Sequence, residues 1–142
     1  MNRYRSFSIL IIGMVALISV VDMLKHPQGP LPEILPVLTT QAEKHILNGD
    51  ARGGGHLHGT GNACKSEFPA AWDEQDVIAH VKDIAANDNL NWKEQSNGYH
   101  VAESMVENVR VRVVINQDQT KIVTAYPTNL PRNPCPKPAN DN

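Results

Sequence analysis

The stretch Tyr99 to Tyr126, YHVAESMVENVRVRVVINQDQTKIVTAY, decides the fold. Within it Val109, Val111, Val113 and Ile115 recur every second residue, with Arg110 and Arg112 between them, so the apolar set shares one face of a strand and the guanidinium groups the other. The runs Tyr99 to Met105, Val109 to Ile115 and Thr120 to Tyr126, separated by polar turns such as Asn116-Gln117-Asp118-Gln119, predict an antiparallel meander with one face on a core. Leu90 to Gln95 offers an edge strand before the Ser96-Asn97-Gly98 turn. Upstream the period becomes helical. Asp73 is a good N-cap for a helix carrying Val77, Ile78, Val81, Ile84 and Ala85, which ends at Asn87-Asp88-Asn89. Earlier still, Thr40 with Glu43 three residues on forms a capping box for a short helix through Ala42, Ile46 and Leu47, stopped by Asn48-Gly49. Helices first and strands afterwards specify an α+β fold, with N-terminal helices packed on an antiparallel sheet.

Outside this region the chain changes character. Arg3 and Arg5 precede an uncharged run, Phe7 to Val21, which reads as an export signal or an anchor over residues 1–25. Fifteen helical residues span roughly 22 Å, short of a hydrocarbon core of about 30 Å, which favours a cleaved signal peptide. Against that, Ser19-Val20-Val21 lacks a small-residue cleavage pattern and Met23-Leu24 extends the run, so an uncleaved anchor with the domain exported also fits. Residues 26–37, with four prolines, read as a linker, 38–128 as the domain, and 129–142 as a Pro/Asn-rich tail, loose from Pro127 onward because little apolar surface is left to pack. Export makes Cys64 and Cys135 a natural disulfide, closing a loop of about 70 residues valued at roughly 4 kcal/mol by chain entropy; two free thiols in a cytosolic chain are the alternative. Fifteen acidic against thirteen basic side chains give a formal net charge of -2. Long-range attraction to nucleic acid or an acidic membrane is thereby excluded, and RNA must be contacted locally.

Chemistry-bearing residues cluster early. His45, His56 and His58 fall within 14 positions, around Asn48-Gly49-Asp50 and Gly53-Gly54-Gly55, with Lys65 following. Two histidines flanking one reacting group can serve as base and acid near neutral pH, glycine amides can approach an anion, and a lysine can neutralise charge growing on a phosphate. Surface histidines around a flexible turn explain the same spacing. A metal site competes for these residues: His56 and His58 in a strand would face one side, with His45 or Asp50 as third ligand. Near the C-terminal end, Thr124 and Tyr126 are two apart and face the same way, with Ile122 below them.

The stretches His45-Ile46-Leu47-Asn48-Gly49-Asp50, Gly53-Gly54-Gly55-His56, Lys65-Ser66-Glu67-Phe68-Pro69 and Thr124-Ala125-Tyr126-Pro127, in that order, closely resemble the bacterial EndoU nuclease family, including toxin domains of contact-dependent inhibition systems. The resemblance covers about residues 40 to 127. It implies an α+β ribonuclease whose catalytic residues correspond to His45, His56, Lys65, Thr124 and Tyr126. Gly54, Gly55, Thr124 and Tyr126 would touch substrate, with His58, outside the matched pattern, as an auxiliary contact. No cofactor is required by that chemistry. The implied substrate is single-stranded RNA or a tRNA loop, with a leaning towards uridine, cut by its own 2′-hydroxyl to a 2′,3′-cyclic phosphate and a 5′-hydroxyl. The implied setting is an exported toxin, secreted or periplasmic, with an immunity protein as partner and a membrane contact through the N-terminal segment if it is not cleaved. A catalytically idle RNA- or protein-binding module anchored at the membrane is the rival. The departures are the hydrophobic N-terminus in place of a large delivery protein, and Cys64 directly beside Lys65.

Overall fold

Val109, Val111, Val113 and Ile115 are all buried, and Arg110 stands exposed on the opposite face, so the alternation that predicted a half-buried strand holds. The computed structural model describes residues 34–137. The 1–25 leader, residues 26–33 of the linker and residues 138–142 of the tail lie outside the described residues.

Two helices, α1 (Thr40–Leu47) and α2 (Glu74–Ala85), precede four strands, β1 (Lys93–Glu94), β2 (His100–Val106), β3 (Val109–Ile115) and β4 (Ile122–Pro127). The strands form one antiparallel sheet in the order β1-β2-β3-β4, the expected meander of an α+β fold. Glu107 and Asn108, both at positive φ, make the two-residue turn between β2 and β3, the geometry that matches strand twist. Asp73 caps α2 with a reciprocal box to Asp76, and Val77, Ile78, Val81, Ile84 and Ala85 bury its inner face with Phe68 and Trp72. Each buried Val, Ile or Phe among them contributes about 1.5–3 kcal/mol of apolar transfer.

Three expectations are corrected. The cap of α1 is Thr39, not Thr40: its hydroxyl accepts from the Ala42 amide, and Glu43 falls outside the box. The reason lies just upstream, where the Val37 amide donates to the Thr120 carbonyl and the Val37 carbonyl accepts from Ile122. This pairing keeps the chain extended through Thr39. Secondly, the chain after Pro127 is not loose up to residue 133. Pro127 is fully buried and its carbonyl accepts from the Ser66 hydroxyl at 2.7 Å. Arg132 bridges Ser66, the Asn133 amide donates to the Lys65 carbonyl, and Cys135 is disulfide-bonded to Cys64. Composition gave little sign of this, because beyond Leu130, which packs on the core, the segment is held by backbone and Asn side-chain hydrogen bonds and by the disulfide.

Thirdly, Ile122 does not lie below Thr124 and Tyr126. Ile115 pairs with Ile122 but Val114 pairs with Thr124, so β4 holds one extra residue at this point, a β-bulge. The bulge breaks the parity of the strand. Ile122 goes into the core, while Thr124 and Tyr126 go to the other face, opposite Val114 and Arg112.

What places α1 is the way its C-terminal carbonyls are used. The amides of Gly55, His56 and Leu57 donate to the carbonyls of His45, Ile46 and Leu47 at 2.9, 2.8 and 3.0 Å. Groups that a helix end leaves without partners are thus paired with an extended strip of chain. Gly54 permits it, for at φ +75 a Cβ there would run into the His45 carbonyl. Gly59 is also left-handed, at φ +86, but its Cβ would meet open space. Gly59→Ala should therefore cost about 1–2 kcal/mol, the left-handed penalty alone, and Gly54→Ala about 3 kcal/mol or more, because overpacking adds to it. Urea unfolding of the two variants measures the difference, and equal losses would contradict the packing argument.

Candidate active site

His45 closes the last turn of α1 and His56 lies in the strip paired with that turn, so one set of backbone hydrogen bonds brings both rings to one cleft. The cleft, of about 320 Å³, is lined by His45, Gly54, His56, Lys65, Thr124 and Tyr126, with Arg52 and Arg132 at its margin. All five residues expected to be catalytic therefore meet, from four separate stretches of sequence. Gly54 lines the cleft, while Gly55 is buried beside it, where any Cβ would strike the Asn62 amide. His58 is elsewhere: its ring is 57% exposed and its Nδ1 lies 3.7 Å from Glu67.

The two histidines are held differently. His56 is buried, and its Nδ1 donates to the Ser66 carbonyl at 2.7 Å, which leaves Nε2 as its free ring nitrogen. Burial lowers the pKa of His56, outweighing the Ser66 carbonyl, and the neighbouring charge of Lys65 lowers it further. Both effects favour the neutral form of His56. His45 has its Nδ1 3.1 Å from Asp50 Oδ1, an ion-pair distance without good hydrogen-bond alignment. Asp50 is itself held well below the usual carboxylate range, chiefly by Arg52, whose guanidinium donates to it at 2.8 Å.

Tyr126 stacks on His56, with ring centroids 5.4 Å apart and planes 27° from parallel. Arg112, read from sequence only as an outward strand residue, steadies that tyrosine. Its guanidinium carbon sits 5.8 Å from the ring centroid and Nη1 donates to the phenol oxygen at 3.4 Å, while Glu103 binds it at 2.6 and 2.8 Å. Sequence reading missed this residue, and also Asp50 as the partner of His45, the Ser66 carbonyl and Arg132. The i, i+5 spacing of His45 and Asp50 across a glycine helix stop was the one available signal.

The metal triad weighed against this reading is not assembled, since His56 Nδ1 is engaged by Ser66 and His58 turns to Glu67. Among the described residues no group of three or more His, Cys, Asp or Glu is arranged to hold a metal ion, and no helix is long and apolar enough to cross a membrane.

The model of the family described as bacterial EndoU nuclease matches residues 58–129, about half the chain. The chain belongs to the bacterial EndoU nuclease family. No curated protein and no solved structure matches it. The EndoU match takes in Lys65, Thr124 and Tyr126 but starts after both cleft histidines, so it is the backbone pairing of α1 that joins His45 and His56 to the matched region.

Glu67 organises the loop behind this EndoU cleft. Its carboxylate accepts from the amides of Gly59 and Gly61, from Thr60 and from Asn133. Burial pushes its pKa up, but the Asn133, Gly59, Gly61 and Thr60 donors outweigh that and hold it at about 2 instead of 4.5. A depressed carboxylate stabilises the fold above its unfolded pKa, and that contribution disappears as pH falls through the folded value. Glu67→Gln should thus be clearly less stable than the parent at pH 7, with the gap closing between about pH 4.5 and pH 2. Thermal unfolding across this range tests it; a gap independent of pH would contradict it.

Proposed function

We propose that this EndoU protein is an endoribonuclease that cleaves unpaired RNA through the substrate's own 2′-hydroxyl, without a metal ion. The observation that carries the reading is the unequal fixing of two histidines on one cleft, His56 held against the Ser66 carbonyl and buried, which favours its neutral form, and His45 beside a carboxylate. His56 Nε2 accepts the 2′-hydroxyl proton, and the oxygen forms a bond to the adjacent phosphorus. As the bond from phosphorus to the 5′-oxygen breaks, an imidazolium at His45, its charge balanced by Asp50, gives its proton to that oxygen. The products are a 2′,3′-cyclic phosphate and a 5′-hydroxyl. Lys65 and the neighbouring Arg52 and Arg132 offer positive charge to the phosphorane oxygens, where preorganised donors matter most.

Tyr126, stacked against His56 and steadied by Arg112, supplies a ring for the base of the attacked nucleotide, and Thr124 a hydroxyl for its edge. Such contacts need an unpaired base, as in a single strand or a tRNA loop. The Cys64–Cys135 disulfide supports work outside a reducing cytoplasm. An exported toxin restrained by an immunity protein is the setting this reading proposes.

His45→Ala and His56→Ala should each lower cleavage by about 10² to 10⁴ fold, whereas His80→Ala, on α2 and packed against Trp72, should not. Normal turnover by either of the first two would remove the mechanism. Because the base must be neutral and burial lowers the pKa of His56 from 6.5, the acid limb of kcat/KM should fall below pH 6.5. An acid limb above that value would reverse or abolish the assignment of His56. Cleavage should also survive excess EDTA; complete loss, restored by one divalent ion, would favour metal chemistry instead.

A further inference from the structure

We propose that a second cavity, on the far side of His45 from Tyr126, binds the nucleotide that leaves when RNA is cut, with Tyr99 as its stacking surface and Lys121 as its phosphate contact. This rests on the ribonuclease reading above and extends it from one nucleotide to two.

The cavity measures about 390 Å³, within the range of about 300–1,000 Å³ usual for small-ligand sites. It adjoins the catalytic cleft at His45, Arg52 and Thr124, which line both. The direction of the reaction decides which nucleotide goes where. His56 and Tyr126 are stacked together, so the attacking 2′-hydroxyl and its base lie on their side. The proton donor to the departing 5′-oxygen is His45, and what lies beyond His45 is this cavity.

Charge supports the same path. Arg52 and Lys121 line the cavity, and among the described residues no carboxylate does; Asp50, just outside the lining, pairs with Arg52, so Lys121 is the cation left without a carboxylate there. A third concavity, against α1 and α2, is lined by three carboxylates, Glu43, Glu74 and Asp83, against the single cation Lys82. In a chain of net charge -2, a polyanion is accepted along the first two and repelled from the third. Lys121 is also well placed by the fold, for Asn116 Oδ1 accepts from the amides of Thr120 and Lys121 at 2.9 and 2.8 Å and fixes the turn before β4. The extra residue in β4 then turns Val123 and Thr124 toward the cavity wall.

Two sets of substrates separate this subsite from the chemistry. Nucleoside 3′-(4-nitrophenyl phosphates) of the four bases carry a leaving group that needs neither a proton nor a base pocket, and the corresponding dinucleotides need both. For Tyr99→Ala the ratio of kcat/KM on dinucleotide to that on aryl ester should fall about tenfold. For Lys121→Gln, an exposed position with little bearing on folding, the ratio on a trinucleotide, whose leaving group carries a second phosphate, should fall several-fold with a shallower salt dependence. Lys82→Gln, on the acidic concavity, should change neither. Unchanged ratios in Tyr99→Ala and Lys121→Gln would overturn the subsite and leave the ribonuclease reading standing. Equal losses on both substrate types would also overturn it, assigning these residues to support of the cleft. A wild-type protein inert on every substrate would sink the ribonuclease reading and the subsite with it.

Discussion

The site depends on how one short helix ends. Three amides from Gly55 to Leu57 pair with the last carbonyls of α1, and the Gly49 amide takes the remaining share from Lys44 and His45. A helix C-terminus in contact with the core would otherwise hold unpartnered acceptors at a cost of about 1–3 kcal/mol each. Pairing them with the glycine strip removes that cost and fixes His56 one residue beyond the amide that binds His45. The spacing of the two cleft histidines is therefore a by-product of backbone satisfaction. Gly54 at positive φ is its condition, since no side chain fits against the His45 carbonyl.

From that strip the constraints pass outward. The His56 ring, buried, needs an acceptor for Nδ1 and finds it in the Ser66 carbonyl. Ser66 in turn reaches Pro127 at the end of β4, and the chain beyond returns through Arg132 and Asn133 to the disulfide beside Lys65. Helix, glycine strip, lysine loop and last strand are thus tied through residues that touch each other around one cleft. Positive charge is concentrated there although the chain as a whole is acidic, which suits recognition by close contact over long-range steering.

Much of this was legible in the sequence where side-chain type carries the signal. The alternation of Val109 to Ile115 and the helical spacing from Val77 to Ala85 each specify a buried face, and both elements formed as read. The five cleft residues were found through ordered motifs, not through composition. What stayed hidden was carried by backbone. The bulge that sends Ile122 inward and Thr124 outward leaves no mark in hydropathy, since one extra residue is indistinguishable from regular strand until its partner register is known. The tail looked unpackable for a similar reason: apart from Leu130 against the core and the disulfide, its attachments are amides and carbonyls and the side chains of Asn129 and Asn133. Arg112 was visible as an outward residue, but its hold on Tyr126 follows from a cross-strand pairing that the sequence does not state.

If two histidines act on the substrate's own 2′-hydroxyl, removing that one oxygen from the RNA must stop the reaction. An oligonucleotide cut by the protein in EDTA would be compared with the same strand carrying one 2′-deoxy nucleotide at the cleaved position, and the fragment ends would be read by mass spectrometry. The account predicts a 2′,3′-cyclic phosphate and a 5′-hydroxyl from the first and no cut at that position in the second. Cleavage of the deoxy strand at a comparable rate, leaving a 5′-phosphate, would contradict it.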